Sequence, residues 1–482
     1  MRLAFIFDDH ILQHEPLGPM HIASYARQRG HDVEYFNASD AAFRDELRRF
    51  PPDVLGYSIA TGQQGFFLEL NRSLRGQMPG VRMSIFGGPH PTFFPDMIRA
   101  PGVDAICIGE GEMPTAELLD ALAGSGDFTR IKNLHFKLPD GAIVTNPARD
   151  FIQDLDSLPF PDHDIKQRFP SLTSRRMGFF IAGRGCPYRC SFCFNESMMT
   201  MQGGRYVRFR DPERVCDEIV MVRDKYGIEV VSFHDDILGL DVNWLERFSV
   251  AYRRRVKLPF QCHYRADLAS PRSMKALYDA GCVRVVVGLE SGDPGLRERV
   301  LAKRVTNEQL EACARMARQY GIEFTTQNMF GIPGETVETA LTTIRLNIRL
   351  CTDIFVHYFF TPYPMTKLAA VAQQMGQFDG DYDKLPLSYH SRMTLEMPAR
   401  RQIEQIGLCS YLLIDQPALF RMTSALFKAV KNERLRLLWL KLLRRIDEMT
   451  RPRRLRGRTC MYREPRRAWP FHENTDSPAR SV

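Results

Sequence analysis

At 482 residues, 44% hydrophobic and 25% charged, the chain has the make-up of a globular protein of two to four domains, which excludes a disordered or fibrous one. No run approaches the ~20 apolar residues of a membrane span, and the opening MRLAFIFDDH reads as a first strand rather than a secretion signal, so a cytoplasmic setting is expected. The net charge of +8 is unevenly placed: from residue 401 onward 18 Lys+Arg face 8 Asp+Glu, which leaves the body near −2, with no electrostatic reason to bind nucleic acid, and a tail suited to something anionic.

Residues 1–135 alternate short apolar runs with helical stretches: RLAFIFDDH, HDVEYFNA, PPDVLGYSIAT, VRMSIFGGPH and VDAICIGEGE read as five strands with helices between. This spacing predicts a Rossmann-like, doubly wound parallel sheet, whose ligands bind beyond the carboxyl ends of the strands. The candidate contacts there are Ser58, Thr61, Gly87, Gly88, His90, Gly109, Glu110 and Gly111, with the loop Asp8–His14 beside them. Taken singly each stretch is equally a tight turn; four at one edge favour a site.

Residues 136–172 read as a linker with a small hairpin, NLHFKLPDGAIVTNP, at its start. Over 173–394, six further strand-like stretches alternate with helices, which predicts a partial (β/α)6 barrel with its chemistry at the strand carboxyl ends. Residues 395–482 read as a helical, basic region with a disordered end. The expected fold class is therefore α/β, with a helical C-terminal region.

Eight of the eleven cysteines (Cys107, Cys216, Cys262, Cys282, Cys313, Cys351, Cys409 and Cys460) are scattered singly, as small buried hydrophobes usually are. The other three, Cys186, Cys190 and Cys193, lie in GRGCPYRCSFCFN with C-x3-C-x2-C spacing. A structural zinc site wants four ligands, and His234 or His263 could supply the fourth. A [4Fe–4S] cluster on three thiolates instead leaves one iron open, with Tyr188 and Phe192 placed to keep water away.

This motif resembles the signature of the radical S-adenosylmethionine (SAM) enzymes. In that family SAM chelates the open iron through its amino and carboxylate groups, and the reduced cluster breaks a C–S bond to give a 5′-deoxyadenosyl radical. The resemblance covers about residues 175–370 and implies further SAM contacts: Asp235 or Asp236 in FHDD, Arg265 in CHYRADL, Glu290 and Ser291 in GLESG, and Gly331 in GIPGET. Each has a plainer alternative as a helix cap or a paired surface charge.

The domain before the barrel, with PLG, SIAT, GGPHPT and GEGE, resembles the cobalamin-binding members of that family. The D-x-H-x-x-G pattern of a cobalt-ligating histidine is incomplete, because Gln13 stands at the place of the glycine after Asp8 and His10. His10 is thus a weak cobalt ligand, His14 a weaker one, and His90 a contact to the corrin edge. The resemblance implies three cofactors (a [4Fe–4S] cluster, SAM and cobalamin), a small-molecule substrate, a reductant such as flavodoxin or ferredoxin, and most simply a C-methyltransferase that acts at an unactivated carbon. Alternatives are a cyclase, oxidase or rearrangement enzyme of the anaerobic magnesium-protoporphyrin monomethyl ester cyclase or hopanoid type, and a non-enzymatic cobalamin and zinc sensor. The stretch KAVKNERLRLLWLKLLRRIDEM reads either as a helical cap over the cleft or as a peripheral membrane contact.

Overall fold

The computed structural model describes residues 1–454 apart from 13, 125, 171, 173–175, 387–388 and 391. The last dozen residues, expected to be disordered, and Cys460 lie outside the described residues. The first sheet contains β1 (Arg2–Phe7), β2 (Asp32–Asn37), β3 (Val54–Ser58), β4 (Met83–Gly87), β5 (Ala105–Cys107), β6 (Leu134–Lys137) and β7 (Ile143–Thr145), in the spatial order β2-β1-β3-β4-β5-β6-β7. The first five strands are parallel and nearly all buried, as strands covered by helices on both faces must be. The hairpin β6–β7 was expected in the linker. It pairs antiparallel with β5 and closes the sheet edge, because Leu134 and Phe136 pack into the first core.

Beyond the linker come β8 (Met177–Phe180), a two-stranded ribbon of β9 (Gly183–Arg184) with β10 (Arg208–Phe209), then β11 (Val230–Phe233), β12 (Phe260–Tyr264), β13 (Cys282–Glu290), β14 (Glu323–Phe330) and β15 (Ile354–Phe359). Six of these form one all-parallel sheet in the order β8-β11-β12-β13-β14-β15, and no ladder among the described residues joins β8 to β15. The result is the expected open, partial barrel. Local sequence starts its helices: Ser270, Thr306 and Thr336 each form a capping box, and Asp211 and Asp241 accept bonds from the first free N–H groups of theirs.

The helices Arg400–Leu408, Ser410–Asp415, Pro417–Ala429 and Glu433–Arg454 do not cap the cleft. Ile403, Ile406, Leu412 and Phe420 join one apolar cluster with Leu341 and Ile344 of the helix Val337–Leu350 and Phe330, Phe355 and Phe359 of β14 and β15, and Leu440 and Leu443 of the last helix pack on the helices Arg400–Leu408 and Ser410–Asp415 outside them. Their apolar faces find a partner there on the barrel flank. Ahead of them the chain crosses to the first domain, where Gln64 Nε2 donates to Tyr382 O and Asp383 Oδ1, both at 2.9 Å.

Buried charges tie the two sheets together. Lys166 of the linker donates to Glu15 Oε1 at 2.6 Å and to the Met177 carbonyl of β8, with both side chains of the pair at most 4% exposed. His163 and Arg210 hold Glu218 from opposite sides, and although burial works against its charge they keep its carboxyl down at about 2. Glu15→Ala removes the carboxylate that balances a buried ammonium and should destabilise the protein by about 3–5 kcal/mol. Thermal unfolding checks this, and the Glu15→Ala/Lys166→Met pair should recover much of the loss.

Candidate functional site

The three-cysteine loop follows the first barrel strand. Its entry is sterically fixed: Gly185 has φ +91°, and a Cβ there would run into the Tyr206 carbonyl of the neighbouring ribbon. Cys186, Cys190 and Cys193 then line a cleft of about 360 Å³ at the carboxyl ends of the barrel strands, with Tyr188, Phe192, Asn195, His234, Asp235, Asp236, His263, Arg265, Glu290, Lys303 and Gln327. Burial pushes the Cys186 thiol up to about 11 and the Cys193 thiol up to about 12, so thiolates here require a compensating cation. A single tetrahedral zinc with Zn–S near 2.3 Å would hold its sulfurs about 3.8 Å apart. Among the described residues, however, only Asp8, Asp9 and His10 bring three metal-ligating atoms within 4.8 Å of one another, so the three sulfurs are spread more widely. A donor set of three separated thiols around an open cleft fits a cubane cluster.

Around the thiols the sequence-predicted polar residues divide into two groups. Asp236 faces the cleft, accepts from Asn195 Nδ2 at 3.0 Å, and has its carboxyl raised by burial in the cleft wall. The same amide reaches Cys193 Sγ at 3.3 Å. Asp235 also lines the cleft, but its oxygens are engaged by the Ala182 N–H, from which they accept at 3.2 and 3.0 Å, and burial raises it to about 7. Arg265 lies over the Tyr188 ring at 3.5 Å, pairs with Asp267 at 2.7 Å and brings Nη1 to 4.0 Å from Cys190 Sγ. Glu290 sits at a register shift of β13 with φ +63°, a strained placement for a side chain with a Cβ, and its carboxylate is held by Lys303 Nζ at 2.8 Å.

Ser291 and Gly331 stand back from the cleft. Ser291 is fully buried, with its hydroxyl accepting from the Asp293 N–H at 3.2 Å. Gly331 donates to Glu335 Oε2 at 2.5 Å beneath Met393.

In the first domain two adjoining cavities lie at the strand carboxyl ends. The larger, about 420 Å³, is lined by Asp8, Ile11, Leu12, His14, Ser58, Gln63 and the crossing residues Tyr389 and His390, among others. The smaller, about 250 Å³, is lined by Ser58, Gly87, Gly88, Gly109, Glu110 and Gly111 among others, and shares Phe5, Gly18, Pro19 and Ser58 with the first. Gly88, with φ +89°, allows the close approach: a Cβ would meet the Ile59 amide at 2.8 Å. A continuous, largely apolar pair of cavities with backbone exposed at glycine turns fits a large flat cofactor with a tail.

Thr61 and His90 do not reach either cavity. They bond to each other at 3.1 Å, and burial lowers His90 to about 4. His10 turns to solvent beside Asp8 and Asp9, 81% exposed, whereas His14, which had the weaker claim, lines the larger cavity.

Glu110 lines the smaller cavity, yet both its oxygens are engaged across the domain boundary. Arg184 Nη1 and Arg208 Nη1 each donate to Oε1 at 2.9 Å, and the Ile152 N–H donates to Oε2 at 2.9 Å. Arg184 also donates to Glu112 Oε1 at 2.6 Å; burial opposes its charge, but the Glu112 and Glu110 carboxylates outweigh that and hold it above its ordinary range. Sequence reading missed this tie, and it also missed Asn195 and Lys303. The position of Asn195 two residues after the last cysteine was the available signal. Lys303 lies thirteen residues beyond Glu290, with no spacing rule to connect them.

Comparison with known proteins agrees with this geometry. Residues 180–346 match the model of the radical SAM superfamily, and residues 11–119 match that of the B12 binding domain. An uncharacterized methyltransferase of Pyrococcus horikoshii is 29% identical over 73% of this chain and 77% of its own length. The anaerobic magnesium-protoporphyrin IX monomethyl ester cyclase of Synechocystis is 24% identical over 89% of this chain and 87% of its own. Among solved structures, the radical S-adenosylmethionine methyltransferase TsrM of Kitasatospora setae, with cobalamin and a [4Fe–4S] cluster bound, superposes with a TM-score of 0.64 at 19% identity, covering 78% of each chain. The cobalamin-dependent enzyme OxsB, with aqua-cobalamin and S-adenosylmethionine bound, gives 0.64 at 17% over 94% of this chain and 71% of its own.

Glu335, fully enclosed and accepting from the Gly331 and Ile332 N–H groups, has its carboxyl pushed by burial from 4.5 to about 8. The unfolded chain releases this proton from about 4.5 upward while the folded chain keeps it to about 8. Stability should therefore fall as pH rises across that window, by at most about 1.4 kcal/mol per pH unit, and level off above it. Melting temperature against pH should show the slope in the wild type and a flatter profile in Glu335→Gln.

Proposed function

The chain belongs to the cobalamin-binding radical SAM enzymes, and we propose that within them it is a C-methyltransferase acting at an unactivated carbon of a small-molecule substrate. The observation that carries this reading is the juxtaposition of its two sites across one domain boundary. His14 lines the larger cavity of the first domain, and its ring lies 5.4 Å from that of His234, which lines the thiol cleft with His263 a further 6.0 Å on. A substrate held between the domains would therefore meet both sites.

When bound, the cluster, SAM and cobalamin supply one-electron cleavage of SAM, removal of a hydrogen atom from carbon, and a transferable methyl group. The chain supplies placement. Cys186, Cys190 and Cys193, which line the cleft, would hold the cluster. Asp236 and Asn195 present a carboxylate and an amide beside it, suited to an ammonium group, a charge-assisted contact. Arg265, fixed by Tyr188 and Asp267, offers a cation to a carboxylate or ribose. Glu290 is held by Lys303 at the cleft wall, ready to accept from a hydroxyl. Phe192 lines the cleft and packs against the apolar cluster that contains Leu301 and Phe360, which shields the thiols from bulk water. Ser58, Gly87, Gly88, Gly109 and Gly111 line the cavities proposed for cobalamin. Electrons come from outside the chain, from a flavodoxin- or ferredoxin-like donor in a reducing cytoplasm.

The cyclase relative, which aligns over 89% of the chain, favours ring formation as the second reading. One assay separates the two. The anaerobically reconstituted enzyme, given cobalamin, SAM, dithionite and candidate substrates, should produce 5′-deoxyadenosine and a product heavier by one CH2 unit. A ring-closed product with any other mass shift would support the cyclase reading, and 5′-deoxyadenosine from the Cys186→Ala/Cys190→Ala/Cys193→Ala variant would overturn both.

A further inference from the structure

The helix Glu433–Arg454 has a satisfied inner face: Leu440, Leu443 and Asp447 are fully buried where it packs on the helices Arg400–Leu408 and Ser410–Asp415. The outer face of such a helix is ordinarily polar. Here it carries Leu435 (53% exposed), Leu438 (61%), Leu442 (49%) and Met449 (71%), which at ~100° per residue fall within an arc of about 60°. Met422 of the preceding helix Pro417–Ala429 adds a fifth exposed apolar side chain, at 55%. Exposed Arg434, Lys441 and Arg445 occupy the next arc of the same helix, Arg421 and Lys428 are exposed on the preceding one, and the sequence runs on through RPRRLRGR.

We propose that this face is a docking surface for an anionic lipid membrane. Leucines and methionines along one line, edged by cations, match the layout of an interfacial helix: apolar side chains enter the boundary between headgroups and acyl chains while Lys and Arg meet the anionic headgroups. Charge favours a lipid over a second copy of the chain, because self-association through this face would bring two sets of cations together. No helix among the described residues is long and apolar enough to cross a membrane, so the contact lies on the surface. The helix packs on the helices Arg400–Leu408 and Ser410–Asp415, which in turn lie on β14, β15 and the helix Val337–Leu350, so docking leaves the thiol cleft uncovered by this region.

The test is vesicle flotation of the full-length, cofactor-loaded enzyme. It should float with vesicles of phosphatidylcholine and phosphatidylglycerol, remain largely unbound with phosphatidylcholine alone, and be released by high salt. Leu438→Ser/Leu442→Ser should weaken binding about tenfold or more, and Arg434→Gln/Lys441→Gln/Arg445→Gln by about fivefold for each charge removed. All these residues are at the surface, so both variants should retain cluster absorbance and 5′-deoxyadenosine formation. The proposal is overturned if the wild type does not float with anionic vesicles, or if both variants float like the wild type. It is also overturned if the leucine variant instead abolishes a concentration-dependent dimer seen by sedimentation velocity in an enzyme that ignores vesicles.

Discussion

The site rests on a buried ionic tie between Arg184 and Arg208 on one side and Glu110 and Glu112 on the other. Arg184 stands two residues before the first thiol of the cleft, and Glu110 stands on the turn that lines the smaller cavity of the first domain. Two rigid α/β units that touched only through apolar surface could slide, because the hydrophobic effect is not directional. Buried charges do not allow this. Displacing one partner leaves the other charge unsolvated, at a cost of several kcal/mol. The tie thus fixes the cysteine loop relative to the cavity edge, which is the alignment that two cofactors acting on one carbon would need.

Other contacts repeat the device. Glu15, in the loop after β1, is held by Lys166 of the linker, which in turn is bonded to β8. Glu218 of the barrel is held by linker residue His163. The linker is accordingly a clamp, with Lys166 reaching the first domain and His163 reaching the barrel. Gly185 contributes by omission, since any side chain there would push the ribbon away from the thiol loop. The strained backbone of Glu290 and the amide-engaged carboxylate of Asp235 show the same priority at the cleft, where local geometry yields to the placement of polar groups.

Most of the architecture was legible in the sequence, because parallel strands covered on both sides appear as uninterrupted apolar runs and the cysteine spacing is local. What escaped was set by partners distant in the chain. GEGE looks like a ligand-binding turn, but the partners of Glu110 lie 74 and 98 residues away. GGPHPT offers His90, which tertiary packing turns toward Thr61 and away from the cavities. FHDD offers two carboxylates at the cleft, and only the three-dimensional path of the chain after β8 decides that the Ala182 amide engages Asp235 while Asn195 engages Asp236. The C-terminal helices were recognisable as amphipathic, but amphipathicity does not say which surface they cover; the apolar edge at β14 and β15 decided it.

The alignment itself can be measured by pulsed electron resonance on the loaded enzyme, reading the dipolar coupling between cob(II)alamin and the reduced [4Fe–4S] cluster within one chain. The wild type should give one narrow distance distribution and Glu110→Gln a broadened one, with both cofactors still bound. An absent coupling, or a distribution that Glu110→Gln leaves unchanged, would contradict an alignment fixed by the buried tie.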